Sequence, residues 1–173
     1  IVLDCPAAIA AAKILLPETG CKFGRASARE AHWLYMVDEP GASQSFNSPD
    51  DGSSLIEYRA NGGQTMVPPS VHPNGEFMDF DLEGEPTKVT RDTLLRPVKK
   101  IAAVCVLAQY WVEGSRHDKT LALSGGLASS GWSIGEVREF VEAVCMAASD
   151  DDLSSRQTDV DTTYQCQADG KPF

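Results

Sequence analysis

No run of about 18 apolar residues occurs in this 173-residue chain, so no helical membrane span is expected. No Cys-x-x-Cys pair occurs either. The five cysteines, Cys5, Cys21, Cys105, Cys145 and Cys166, are widely spaced and odd in number. That argues against a structural zinc site and against a complete disulfide framework, and it fits a reducing, cytoplasmic compartment. A broad excess of positive charge is also missing. The net charge is -10; residues 1–85 carry 5 Lys and Arg against 13 Asp and Glu, and residues 86–173 carry 10 against 12. This is not the basic footprint of a duplex-binding protein. Contact with nucleic acid must therefore rest on particular residues. The apolar start, IVLDCPAAIAAAKILL, has no basic stretch before it and is interrupted by Asp4 and Pro6, so it does not read as a signal peptide. It has no initiating Met and opens inside a strand-like run, from which a fragment lacking its upstream part is expected.

What is present is an ordinary globular composition, 42% hydrophobic and 23% charged. The polar stretch EGEPTKVT, residues 83–90, divides it into 1–85 and 86–173. The first part reads as strands with one helix. IVL (1–3) ends a buried strand, PAAIAAAKILL (6–16) is a short Ala-rich helix, and LPETGCKFGR (16–25) is turn-rich. HWLYMVD (32–38) is a strand with Trp33, Tyr35 and Val37 on one face. PGASQSFNSPDDGSS (40–54) is a long polar loop. LIEYR (55–59) and QTMVPP (64–69) are strands around the turn ANGG, and EFMDFDL (76–82) is an edge strand. The second part reads as four helices, with Thr90 as a cap, Pro97 as a start or kink, and Ser133–Glu136 as a capping box. Short connections between them predict a small bundle. Cys105 and Cys145 fall in its apolar runs and read as core.

Four polar clusters interrupt the strands. Asp4 ends an apolar strand, where an acid needs solvent, a metal or a partner. FGRASAREAH (23–32) supplies Arg25, Ser27 and His32, the first two sharing a face if extended. Glu57 and Arg59 share a face of the next strand. Ser70 and His72 follow the rigid Pro68–Pro69 pair. Singly, each has an ordinary structural reading: a capping acid, a sheet-edge histidine, a surface ion pair worth under about 1 kcal/mol, a strand stop. Together they offer two carboxylates for Mg²⁺ or Mn²⁺, and Arg, His and Ser side chains for phosphate oxygens. In the second half, Arg116, His117 and Lys119 form either a phosphate contact or a solvated helix start.

These motifs resemble those of the bifunctional primase-polymerase (prim-pol) domains of phage, plasmid and prophage replication proteins, in the archaeo-eukaryotic primase superfamily. LDCPAA (3–8) is similar to the first metal motif. FGRASAREAHWLY (23–35) is similar to the second, and LIEYRANGGQTMVPPSVHPNGE (55–76) to the third. YWVEGSRHDKTLALSGGLASSGWS (110–133) is similar to the helical domain that often follows. The resemblance implies an α+β chain: an RRM-like mixed sheet, here an incomplete fragment over 1–85, followed by a helical bundle accessory domain over 86–173. It implies template-dependent nucleotidyl transfer from NTP or dNTP on single-stranded DNA, with Mg²⁺ or Mn²⁺ and a fused or associated helicase as partner.

Carried over to this chain, the resemblance makes Asp4 and Glu57 metal ligands and, with His32, the catalytic set. Arg25, Ser27, His32, Arg59, Ser70 and His72 become the nucleotide-binding set. Two positions depart from the family pattern. Val2 stands where a second acid is usual, and Glu30 stands where a serine is usual two residues before the histidine. Losing an acid weakens a two-metal site, so a degenerate prim-pol that binds nucleotide or single-stranded DNA, or serves a helicase, is the alternative expectation.

Overall fold

The computed structural model describes residues 1–171. Its elements run β1 (Val2–Leu3), α1 (Pro6–Leu15), β2 (Cys21–Arg25), β3 (Ala28–Trp33), β4 (Tyr35–Met36), β5 (Gln44–Asn47), β6 (Ser54–Tyr58), β7 (Asp79–Glu83), β8 (Thr87–Lys88), α2 (Arg91–Gln109), α3 (Arg116–Ser129), α4 (Ile134–Ala147) and α5 (Leu153–Ala168). The fold is α+β, and its four C-terminal helices lie where helical periodicity and capping residues put them. Thr90 Oγ1 accepts from Thr93 N, Ser133 and Glu136 close a reciprocal capping box, and Asp152 caps α5. Each supplies an acceptor to N–H groups that the first helical turn leaves unpaired. Helix α2 continues through Pro97 without ending there.

Six strands form one sheet in the order β5-β6-β1-β3-β2-β7. Every pairing in it is antiparallel. The mixture of directions expected of the sheet is confined to a separate parallel ribbon, β4–β8. Strand β3 pairs antiparallel with both β1 and β2, so β1 and β2 run the same way with α1 connecting them. This is a split β-α-β unit.

Several local expectations are corrected. CKFGR is not a turn but strand β2, almost wholly buried. The run HWLYMVD is divided at Leu34: β3 ends at Trp33 and β4 pairs with β8 instead. The long polar loop contains β5, paired along β6. QTMVPP is not a strand. Its proline pair has no N–H to give a ladder, and Arg59 Nη1 captures the Gln64 carbonyl at 2.8 Å.

The core lies on one face of the sheet and continues across residues 83–90. Leu3, Trp33 and Ile56 share it with α1, with Val98 and Ile101 of α2, and with Phe140 and Val144 of α4. Ala8, Ala11 and Ala12, at i, i+3 and i+4, are fully buried. Small side chains on that stripe let α2 and α4 pack closely against α1. Tyr58, Leu94 and Leu95 form a smaller cluster at the start of α2. Among the described residues, no helix is long and apolar enough to cross a membrane.

Candidate functional site

Strand alternation puts Leu3, Trp33 and Ile56 against the helices, and their neighbours Val2, His32 and Glu57 on the opposite face. The register then joins residues far apart in sequence. Val2 stands opposite both His32 and Glu57, Phe23 stands opposite His32 and Phe80, and Ser45 opposite Glu57. Directly opposed residues share a face. One row therefore crosses the whole sheet: Ser45, Glu57, Val2, His32, Phe23, Phe80. The His32 ring stacks on Phe23 with centroids 4.7 Å apart and planes 6° from parallel. Beyond β1, the Asp4 N–H donates to Leu55 O at 3.0 Å, extending the ladder by a residue. Asp4 is thereby a diagonal neighbour of Glu57, a relation that spans about 7–8 Å between backbones.

The cations converge on this row from both sides. Arg59 pairs with Glu57, whose other oxygen lies 3.4 Å from the Ser45 hydroxyl. Arg25 Nε donates to Ser27 Oγ at 3.1 Å and lies 3.3 Å from Glu76. Burial, foremost, holds the His32 imidazolium down to about pKa 4; the amino group of Ile1, Arg59, Arg25 and His72 lower it further. At neutral pH the ring is therefore uncharged. Its Nδ1 is buried with no hydrogen-bond partner among the described residues.

The segment 64–78 arches beside this face and is tied down at each end. Arg59 holds Gln64 O and Thr65 Oγ1. At the far end the chain folds into a small hairpin, with Met78 N donating to Ser70 O and His72 N to Glu76 O, both at 2.8 Å. Gly75, at φ +90, makes the turn. Glu76 then receives Ser27 N at 2.8 Å, Ser27 Oγ at 2.6 Å and Asn74 Nδ2 at 2.6 Å. The hydroxyl of Ser27 leads the contacts that hold the Glu76 carboxyl below its usual range.

Two cavities open on either side of His32 and Val2. One, of about 310 Å³, includes Arg59, Thr65, Val67 and Tyr58 in its wall. The other, of about 530 Å³, includes Asp4, Lys13, Arg25, Ser27 and Glu30. Both volumes lie in the range of small-ligand sites, about 300–1,000 Å³.

The structure thus gathers Glu57, Arg59, His32, Arg25 and Ser27 around one sheet face, with Asp4 at its edge hydrogen-bonded by Ser54 Oγ at 2.5 Å. His72 is near enough to His32 to affect its charge, with its own Nδ1 accepting from Asn74 N at 3.3 Å. Ser70 contributes its backbone to the hairpin and, like His72, is absent from both cavity walls. Arg116, His117 and Lys119 are elsewhere, each with an internal partner: Asp150 at 3.1 Å, Asp159 at 2.9 Å and the Tyr110 carbonyl.

Three contributors escaped sequence reasoning. Glu76 joins two motifs 49 residues apart; its only sequence signal is its place at the end of PPSVHPNGE. Thr65 lines a cavity from a segment misread as a strand. Lys13 lies on α1 and pairs with Glu30 at 2.8 Å. Glu30 sits at positive φ, 53°, with its backbone N–H given to Asp81 at 2.7 Å. The acid that departs from the motif is consequently neutralised by a lysine. Among the described residues, no group of three or more His, Cys, Asp or Glu side chains is placed to share a metal. No family model, curated protein or solved structure matches the chain.

Proposed function

We propose that the chain is a prim-pol-type nucleotidyltransferase domain, a DNA primase or polymerase acting on NTP or dNTP with a single-stranded DNA template. The observation that carries this reading is the sheet row in which Glu57 and His32 flank Val2, with Asp4, Arg25 and Arg59 around it. Phosphoryl transfer needs positioning and charge neutralisation more than covalent help from the protein. Arg25 and Arg59 supply fixed cations for phosphate oxygens. His32, neutral at pH 7, offers a ring nitrogen that a phosphate oxygen can engage without a like-charge cost beside the two arginines. The split β-α-β sheet agrees with an RRM-like architecture.

The donor set suits Mg²⁺ or Mn²⁺. Asp4 and Glu57 are hard oxygen donors on adjacent strands, and Mg²⁺ is commonly held by one or two carboxylates plus substrate phosphates. The metal would neutralise phosphate charge and polarise the reacting phosphoryl group. To hold such an ion, Glu57 would give up its bond with Arg59, and Asp4 its bond with Ser54.

One observation favours a second reading, a nucleotide- or DNA-binding module without polymerisation, working beside a helicase. Val2, apolar and 6% exposed, occupies the row between the acid and the imidazole. A primer-synthesis assay separates the two. Full-length protein, Mn²⁺, single-stranded template and labelled nucleotide are expected to give short products, lost in Glu57→Gln. Absence of product refutes the enzyme reading. Nucleotide binding that survives Glu57→Ala and fails in His32→Ala then supports the binding module, and absence of both nucleotide and DNA binding refutes it too.

A further inference from the structure

We infer that Cys5 and Cys105 form an oxidisable dithiol site for small hydroperoxides, with Cys5 the attacking sulfur and Cys105 the resolving one. The two residues are 100 apart in sequence, yet their sulfurs lie 3.8 Å apart. The fold creates this meeting: Cys5 is the N-cap of α1, and Cys105 sits on the face of α2 that packs on α1.

The two sulfurs are not equivalent. Cys5 is half-buried and forms part of the 530 Å³ cavity wall, so a small oxidant reaches it. Cys105 is 1% exposed and sits in the core beside Val104 and Ile101. Cys5 caps the N-terminus of α1, where the N–H groups of the first turn have no helical partner. Thiolates at helix N-termini gain from those free N–H groups. Cys145, by contrast, is buried and raised to about 12, and Cys21 is buried and raised. Neither has this environment.

The chemistry balances without a cofactor. The Cys5 thiolate attacks one peroxide oxygen; the S–O bond forms, the O–O bond breaks, and the released hydroxide or alkoxide takes up a proton. Cys5 is now a sulfenic acid. The Cys105 sulfur attacks the Cys5 sulfur; the S–S bond forms, the S–O bond breaks, and the departing hydroxide leaves as water with the Cys105 proton. Two thiols are oxidised by two electrons in all, and one hydroperoxide is reduced to water or an alcohol.

The test is a thiol count and peptide mapping of the folded protein after a short exposure to hydrogen peroxide. The chain has five cysteines, and two should disappear. A single cross-linked peptide pair should contain Cys5 and Cys105 and be restored by a dithiol reductant. In Cys105→Ala the oxidised Cys5 lacks its resolving partner and should be trapped by a sulfenic-acid-specific dione. Should that core variant not fold, Cys5→Ser, at a half-buried cap position, serves instead: its four remaining thiols should persist under the same exposure. Retention of all five thiols in the unaltered protein, a cross-link between any other pair, or Cys166 reacting ahead of Cys5 overturns the inference. None of these readouts depends on nucleotide transfer.

Discussion

Acidification should weaken this fold through His32, and the magnitude follows from its surroundings. The ring is held at about pKa 4 in the folded chain against 6.5 when free. The unfolded chain therefore binds a proton first, and folding must expel it. This contribution to stability is complete above the unfolded value of 6.5 and is lost as pH falls towards 4. For a dry ring the full interval is worth about 3 kcal/mol. This imidazole is partly open to the cavities, and solvent screening reduces the figure to about 1.5 kcal/mol, of which about 1 kcal/mol is lost between pH 7 and pH 5. Urea denaturation at the two pH values reads it directly, and NMR titration of the three histidines reads the cause. His32→Phe keeps a ring to stack on Phe23 but removes the titration, so its stability should change less between pH 7 and 5 by about that amount. Binding of a magnesium–nucleotide complex should move the His32 titration upward, because triphosphate charge favours the imidazolium. A free-protein His32 titrating at 6.5 or above, or a His32→Phe variant with an unchanged pH slope, refutes the reasoning.

Two further outcomes follow from packing. Asp150 has a side chain with no solvent exposure, accepts from Trp111 Nε1 at 3.0 Å and Arg116 Nη1 at 3.1 Å, and faces Arg156 at 3.6 Å; Asp150→Ala strands those buried donors and should cost about 3–5 kcal/mol in chemical denaturation. A Cβ at Gly24 would collide with the backbone carbonyl of Ala28 on the neighbouring strand, so Gly24→Ala should cost about 1–3 kcal/mol and displace Arg25 and Ser27, seen as weaker nucleotide binding in a variant that still folds.

The helices were legible because their signals are local. Thr90, and Ser133 with Glu136, mark helix starts within a few residues of the bonds they make. Strand β2 was not legible. Lys22 and Gly24 make CKFGR look like a turn, but Lys22 is buried because its ammonium lies over the Trp33 ring, 3.6 Å from the centroid, and pairs with Glu18. Gly24 is there because the Ala28–Glu30 backbone passes too close for a side chain. QTMVPP misled in the opposite way: its apolar residues suit a strand, but no partner strand is available and Arg59 takes its carbonyl. Sequence spacing did reveal local pairs, Glu57 with Arg59 and Arg25 with Ser27, since extended chain puts i and i+2 on one side. It carried no information on register, which brings residues 2, 32 and 57 into one row.

That row also changes what Val2 means. In the sequence it is an acid missing from a motif at the chain's first strand. In the sheet it is the apolar spacer between a carboxylate and a neutral imidazole, and it has strand neighbours on both sides. A carboxylate at that point would face Glu57 directly across an antiparallel pair, where like charges repel unless a cation lies between them. Valine removes that need. Each acid here has a partner within the chain: Arg59 pairs with Glu57, Ser54 donates to Asp4, and Lys13 pairs with Glu30. On the proposed function, a metal–nucleotide complex would have to displace those partners. The enzyme and binding-module readings differ in whether the ligand's own charge is enough to open the Glu57–Arg59 pair. In the first, Glu57 would hold the metal and Arg59 the phosphate. In the second the pair stays closed, and phosphate rests on His32 and Arg25 alone.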